Sequence, residues 1–482
     1  MTAELSLQHY FSHHFSQQRD NPAAALVENG KTVSHGQLIE SVLQLAGQLN
    51  QSGQSSWVLA CSDCGGFTRG LLALLAAGKT VYLPANSCPG SLELLGQHTG
   101  ALLTDGDGAG YPHQVVQLSA AASSQPLQKL AIHDARLVFY TSGSSGTPKA
   151  VFKQLSQLEG EINALENLWG PELGQSDVLA CVSHQHIYGV LFRILWPLLS
   201  GRTIDATQYE YPESLLNRIQ NNHSSVVIAS PAQLERLPRE LNWSACHNKV
   251  AAVFSSGAPL SALHAGQTAH CFGCLPYEVF GSTETGGVAW RQQPDSEQTC
   301  YWNPLPGFNT GLADGQLCIY SPWTESSRTT PFGIGFIMGD KAERLDDGRF
   351  LTRGRADQIT KIEGKRVSLT EIALHLRASN SVDKAEVVVL DGPRRQLGAV
   401  IVLSPQGQQQ LEQSGRLAVS RSLKQELANY FEAVTLPRKW RYLSALPVNS
   451  QGKLVRAELA QYFLEAQDHI HPIDSQKELS HV

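Results

Sequence analysis

The ten residues Tyr140-Thr141-Ser142-Gly143-Ser144-Ser145-Gly146-Thr147-Pro148-Lys149 decide how this chain is read. They follow Ala135-Arg136-Leu137-Val138-Phe139, an apolar run of strand length. Within them stand two glycines, five serine or threonine hydroxyls and one lysine. Glycine lets a backbone come close to an anion, and successive N–H groups form an anion-binding concavity. The hydroxyls add hydrogen-bond donors and the lysine a positive charge. The stretch reads as a strand feeding a mobile loop that holds the phosphates of a nucleotide. It is not a Walker A loop, because its glycines are three apart and Pro148 precedes the lysine, which prevents the usual entry into a helix. The competing reading of the same residues is a flexible Ser/Gly surface loop.

Three later segments decide between the two. They are Tyr277-Glu278-Val279-Phe280-Gly281-Ser282-Thr283-Glu284-Thr285-Gly286-Gly287, the run Gly354-Arg355-Ala356-Asp357 continuing to Val367, and Leu446-Pro447-Val448-Asn449-Ser450-Gln451-Gly452-Lys453-Leu454. In this order the four segments resemble the AMP-forming adenylating enzymes. That superfamily holds acyl- and aryl-CoA synthetases, nonribosomal adenylation domains and beetle luciferases. The resemblance runs from about Gly30 to Leu459.

The rest of the chain fits such a scaffold. Its 482 residues suffice for two or more domains, and 42% hydrophobic with 17% charged residues is ordinary globular composition. A formal net charge of -6 argues against nucleic acid as the main partner. No apolar run reaches membrane-span length, and Met1 to Ser6 lacks the basic start and apolar core of a signal peptide, so the expected location is cytoplasmic. Nine cysteines include the pairs Cys61/Cys64 and Cys271/Cys274, read as free buried thiols rather than a zinc site.

Helix and strand signals alternate through the first two thirds. Ser34-His35-Gly36-Gln37 is a capping box ahead of Leu38, Ile39, Val42, Leu45, Ala46 and Leu49 at helical spacing. Trp57–Ala60, Val81–Pro84, Val178–Val182, Ser225–Ala229 and Lys249–Phe254 read as strands, and Phe67–Ala77 as a helix. The expected fold is α/β: a large multi-sheet α/β N-terminal domain over 1–355 and a small mobile α+β C-terminal domain over 356–482. In the latter, Ser368-Leu369-Thr370-Glu371 opens a helix, 386–390 and 397–403 form a hairpin, a helix spans Ser422 to Val434, and a strand follows at 439–443. The polar tail after Glu465 reads as poorly ordered.

The resemblance implies a chemistry. ATP and a carboxylic acid form an acyl-adenylate and pyrophosphate, and a thiol then takes the acyl group and releases AMP. It places Thr141, Ser142, Gly143, Ser144, Ser145, Gly146 and Lys149 around the β- and γ-phosphates, Thr283 at the α-phosphate and Glu284 on Mg2+. Phe280 stands where the family usually has an adenine-stacking tyrosine, and its ring can still stack. Gly257, Ala258 and Pro259 line the other side of the adenine. Asp340 accepts from the ribose hydroxyls, with Arg355 beside it. Asp357 is the hinge, and Lys453 the catalytic lysine of the C-terminal lid.

His186, in Ser183-His184-Gln185-His186-Ile187-Tyr188-Gly189, matches the His-x-x-Gly that lines the acid pocket. Gly281, Gly286 and Gly287 are expected to free space there for a ring or acyl chain. Amino-acid-activating relatives place an aspartate after an aromatic residue at this point; here Ile187 follows His186. The implied substrate is an aryl (hydroxybenzoate-like) or fatty acid, and the acceptor CoA or the phosphopantetheine thiol of an acyl carrier protein. The alternatives are a nonribosomal-type amino acid adenylation enzyme and a non-catalytic nucleotide-binding scaffold.

Overall fold

A computed structural model describes residues 4–16, 23–118, 126–141, 149–293, 300–324, 328–330, 333–355, 359–392, 394–447 and 459–464. The chain divides into two compact units, one of residues 1–371 with 428–435, the other of 372–427 with 436–482.

Two large sheets carry the first unit. The six-stranded sheet runs, edge to edge, Gln114–Gln117, Ala101–Thr104, Ser56–Ala60, Thr80–Leu83, Arg136–Thr141 and Lys149–Gln154. Its first five strands are parallel and the last antiparallel. Parallel strands are buried on both faces and so read as unbroken apolar runs; Ala101–Thr104 is buried at every position. The nine-stranded sheet centres on the parallel strands Ile204–Gln208, Asp177–Ala180, Ser225–Ala229, Val250–Ser256 and Tyr277–Ser282. Gly286–Arg291 turns back antiparallel on the last of these. Between Asn309 and Arg355 the strands pair antiparallel.

Local rules act as the sequence predicts at the helix His35–Gln51. Ser34 Oγ accepts from Gln37 N at 3.2 Å and Gln37 Oε1 accepts from Ser34 N at 3.0 Å, closing the capping box. Leu38, Ile39, Val42, Ala46 and Leu49 form its buried stripe.

The second unit is α+β. Val382–Leu390 and Gln396–Leu403 form the expected hairpin, and Lys439–Tyr442 adds parallel to its second strand. One element differs. The helix expected over Ser422–Val434 starts at Pro405, kinks at Gly415 and stops at Leu427. Only Gly407, Val419, Leu423 and Leu427 are buried along it, so its glutamine-rich first half shows no apolar stripe to read. Ser368 Oγ accepts from Glu371 N at 3.2 Å, the expected cap of the helix Leu369–Ala378. The tail beyond Leu464 lies outside the described residues. Among the described residues no helix is long and apolar enough to cross a membrane.

The N-terminal helix Leu7–Ser16 brings a titratable cluster into this frame. Tyr10 Oη lies 2.8 Å from His35 Nδ1, and the His14 ring stacks on that of His35 at 4.9 Å. His35 is 3% exposed. Burial, then the neighbouring His14 and His13, push its imidazole down to about 4. The folded chain keeps His35 neutral where the unfolded chain begins to take up a proton, at an ordinary value near 6.5. Stability from this site is therefore complete above pH 6.5 and falls as the pH drops towards 4, by at most about 3 kcal/mol. Melting temperatures across that range should fall for the wild type and fall less for His35→Asn. Equal slopes would count against the cluster.

Candidate active site

The site is built on one turn. Tyr277–Ser282 and Gly286–Arg291 form a hairpin whose register shifts between Phe280 and Gly281. The shift presses Gly281 so close that a Cβ there would sit on the Gly286 carbonyl. Gly286 adopts φ +72°, where side chains are strained. Within the turn, Ser282 N donates to Thr285 Oγ1 at 3.1 Å and Thr285 N to Ser282 Oγ at 3.3 Å. Thr283 and Glu284 stand at its apex, half-buried.

Glu284 is held between two cations. Lys149 Nζ lies 3.6 Å from its Oε1, and Arg366 Nη1 donates to its Oε2 at 3.2 Å. Burial pushes the carboxyl up, but the Arg366 charge, backbone hydrogen bonding and Lys149 outweigh it and hold the group below its ordinary value. Glu284 is thus an ionised carboxylate in a largely desolvated place. Arg366, on the strand Lys365–Ser368, escaped the sequence reading; it stands inside a quoted segment with nothing local to mark it among three other basic residues.

The two ends of the segment expected to hold phosphates are pinned opposite each other, Thr141 pairing with Lys149 across the sheet. Thr141 is buried, and its Oγ1 has no partner among the described residues. Ser142, Gly143, Ser144, Ser145 and Gly146 lie outside the described residues, as do Asp357 and Lys453.

The residues expected around the nucleoside take defined places. Asp340, on the strand Gly333–Arg344, is 8% exposed and sits directly opposite Arg355 on the neighbouring strand. The Phe280 ring is half-buried, 5.2 Å from Trp302 and 5.6 Å from Phe350. Gly257, Ala258 and Pro259 form the bend after the strand Val250–Ser256. Gly257 has φ +103°, and a Cβ there would come 3.4 Å from the Gly364 carbonyl.

On the acid side, His186 precedes the short helix Ile187–Gly189. Desolvation, then the charges of Lys365 and Lys361, push its imidazole down to about 4, so it is neutral at neutral pH. His184 lies deeper, 3% exposed, with Nε2 2.9 Å from the Cys61 carbonyl and Nδ1 unpartnered among the described residues. The space expected beside Gly286 and Gly287 is not open. It is filled by Glu161, whose Oε1 accepts from Gly287 N at 2.7 Å and whose Oε2 occupies the place of a Gly286 Cβ. The glycines are required by the hairpin and by this carboxylate.

Of the two cysteine pairs, Cys61, Cys64 and Cys271 are buried and Cys274 is half-buried. Cys61 and Cys64 share one hydrophobic core and Cys271 lies in another. Burial pushes all three thiols up. Among the described residues no cluster of His, Cys, Asp or Glu has the form of a metal site.

A family profile described as AMP-binding enzyme matches residues 91–318. A 4-coumarate–CoA ligase of Cereibacter sphaeroides is 28% identical over 327 residues, 66% of this chain and 70% of that one. A D-alanine–D-alanyl carrier protein ligase of Staphylococcus epidermidis is 26% identical over 385 residues, 72% of this chain and 76% of its own length. Among solved structures, the o-succinylbenzoate CoA synthetase of Bacillus subtilis superposes with a TM-score of 0.80 at 18% identity, covering 94% of this chain and 98% of that one. An amide bond synthetase from Marinactinospora thermotolerans gives the same TM-score and identity, covering 94% and 99%. At such identity these superpositions speak to the fold, a large mixed α/β unit followed by a smaller one.

The turn around His186 gives a test of its own. A Cβ on Gly189 would collide with the Ser183 carbonyl, which belongs to backbone and cannot swing aside. Gly189→Ala should cost about 1–3 kcal/mol in denaturant unfolding. An unchanged midpoint would mean that the turn relaxes freely.

Proposed function

This chain belongs to the AMP-forming adenylating enzyme superfamily, and on that premise we propose that it is an ATP-dependent acid–thiol ligase acting on an aryl or fatty acid. The observation that carries the reading is Glu284: one ionised, mostly buried carboxylate between Lys149, which ends the phosphate loop, and Arg366. Two cations converging on one carboxylate leave a place that a polyphosphate with its counter-ion can take over.

Magnesium fits this donor set. The ion prefers one or two carboxylates and completes its shell with water and phosphate oxygens, and Glu284 supplies a hard anionic oxygen. Bound there with nucleotide, it would neutralise charge on the departing pyrophosphate. The residues of the chain do the rest. Thr141 offers a hydroxyl with no partner among the described residues at the base of the phosphate loop. Phe280 offers a ring face to adenine, and Asp340 an acceptor for the ribose hydroxyls. In the first half-reaction a carboxylate oxygen attacks the α-phosphorus and pyrophosphate leaves. We assign Lys453 to bridging the acid and the α-phosphate in that step. In the second, a thiolate attacks the acyl carbonyl and AMP leaves, with residues beyond Asp357 acting as the lid. The acceptor is CoA or a carrier-protein thiol.

The sequence around His186 favours an acid without an amino group: Ile187 follows it where amino-acid-activating relatives place an aspartate, so a substrate ammonium would lack its ion partner. Burial, then Lys365 and Lys361, lower the His186 imidazole, and Lys365 is itself paired with Glu432. Neutral His186 can still hydrogen-bond the acid. The D-alanine-activating relative keeps an amino acid as the second reading.

Carboxylate-dependent ATP–pyrophosphate exchange tests both. Hydroxybenzoates, cinnamates or fatty acids should support exchange, and Lys453→Ala should reduce it by about 100-fold or more. Exchange with amino acids alone would give the second reading. ATP binding without exchange for any acid would leave a nucleotide-binding scaffold.

A further inference from the structure

Two buried titratable side chains outside the expected site close on the turn that carries Glu284. Lys153 is 2% exposed and Glu161 3%. Lys153 lies on the strand Lys149–Gln154 and Glu161 on the helix Leu155–Leu173 that follows it. Lys153 Nζ donates to the Glu284 carbonyl at 2.7 Å and reaches the Trp323 carbonyl at 3.5 Å. Glu161 Oε1 accepts from Gly287 N at 2.7 Å, and its other oxygen fills the space that Gly286 leaves. One cation thus holds the turn's carbonyl side and one carboxylate its amide side. Burial lifts the Glu161 carboxyl to about 7, against the opposing pull of the Gly287 N–H and then of the Lys153 charge. Lys149 and Lys153 share one strand face. The same strand therefore grips Glu284 twice, by side chain and by backbone.

We infer that Lys153 and Glu161 are positioning residues: a buried clamp that fixes the Thr283–Glu284 turn and so sets how strongly magnesium strengthens nucleotide binding. The inference rests on the assignment of Glu284 proposed above. Desolvated charges are costly to keep, and an apolar pair of equal volume would pack at least as well. What an apolar pair cannot do is hold a carbonyl and an amide at fixed distance.

The test uses Lys153→Met, Glu161→Gln and the double variant Lys153→Met/Glu161→Met in the full-length protein. The double variant keeps volume and removes both charges, so it should fold even where a single change strands its partner. Three quantities are read: the melting temperature, hydrogen exchange of the peptide spanning 280–290, and ATP binding by calorimetry with and without magnesium.

In the double variant, exchange across 283–287 should accelerate by about 10-fold or more while the melting temperature stays near that of the wild type. The gain in ATP affinity from magnesium should shrink about 10-fold or more, with magnesium-free binding changed far less. Unaltered exchange across 283–287, or an unaltered magnesium effect beside a lowered melting temperature, would overturn the clamp. Should wild-type protein bind ATP with no magnesium effect at all, the assignment of Glu284 fails. The clamp would then stand or fall on hydrogen exchange alone.

Discussion

An ionised carboxylate in a nearly dry place is the constraint on which the rest of this site depends. Burial alone would push Glu284 towards its neutral form, which cannot serve a cation. Arg366 and Lys149 reverse that, at 3.2 and 3.6 Å. Each cation arrives on a strand end whose place is fixed by pairing: Lys149 opposite Thr141, and Arg366 opposite Lys361. The charge state of one side chain is thereby tied to the register of two hairpins far apart in sequence.

Close approach is the second constraint, and glycine meets it where a side chain could not. Gly281 abuts the Gly286 carbonyl, and Gly189 the Ser183 carbonyl. Gly286 needs a positive φ as well as room for the Glu161 carboxylate. Gly281 and Gly286 look from sequence like space left for a ligand. In the folded chain that space is already taken, by backbone at Gly281 and by a buried carboxylate at Gly286. The same residue type answers two different needs, and only the neighbours tell them apart.

How far the fold and site were legible follows from the range of the signals. Parallel strands announce themselves through near-continuous burial, so 56–60, 225–229 and 250–256 are plain in the chain. Local caps such as Ser34 with Gln37 are equally plain, because every atom involved lies within four residues. The strand Lys149–Gln154 shows where this fails. Alternation there suggests that Phe152 points inward and Lys153 outward. The fold does the opposite, leaving Phe152 53% exposed and burying Lys153, because the Glu284 carbonyl, 131 residues away, meets the ammonium. The partners of Glu284 and Glu161 are long-range in the same way, and no periodicity carries them. The helix Pro405–Leu427 fails for another reason: half of it buries almost nothing.

The pairing of Arg366 also bears on where a lid would pivot. The compact units part after Glu371, so the hairpin Ile359–Ser368 counts with the first unit, which also holds Glu284. A pivot at Asp357 would carry that hairpin, and Arg366 with it, away from Glu284. The carboxylate would lose the nearer of its two cations and be left with Lys149, which is itself more than half exposed and well screened. An uncompensated carboxylate in a desolvated place is costly, so such a movement is favourable only when other positive charge has taken the place of Arg366. A divalent cation held by the Glu284 carboxylate would supply that charge before the movement, and its departure with pyrophosphate would remove it afterwards. A pivot after Glu371 would leave the pair intact and place no such demand. The ion pair therefore couples the position of the hairpin to the occupancy of the phosphate site in the one case and isolates them in the other.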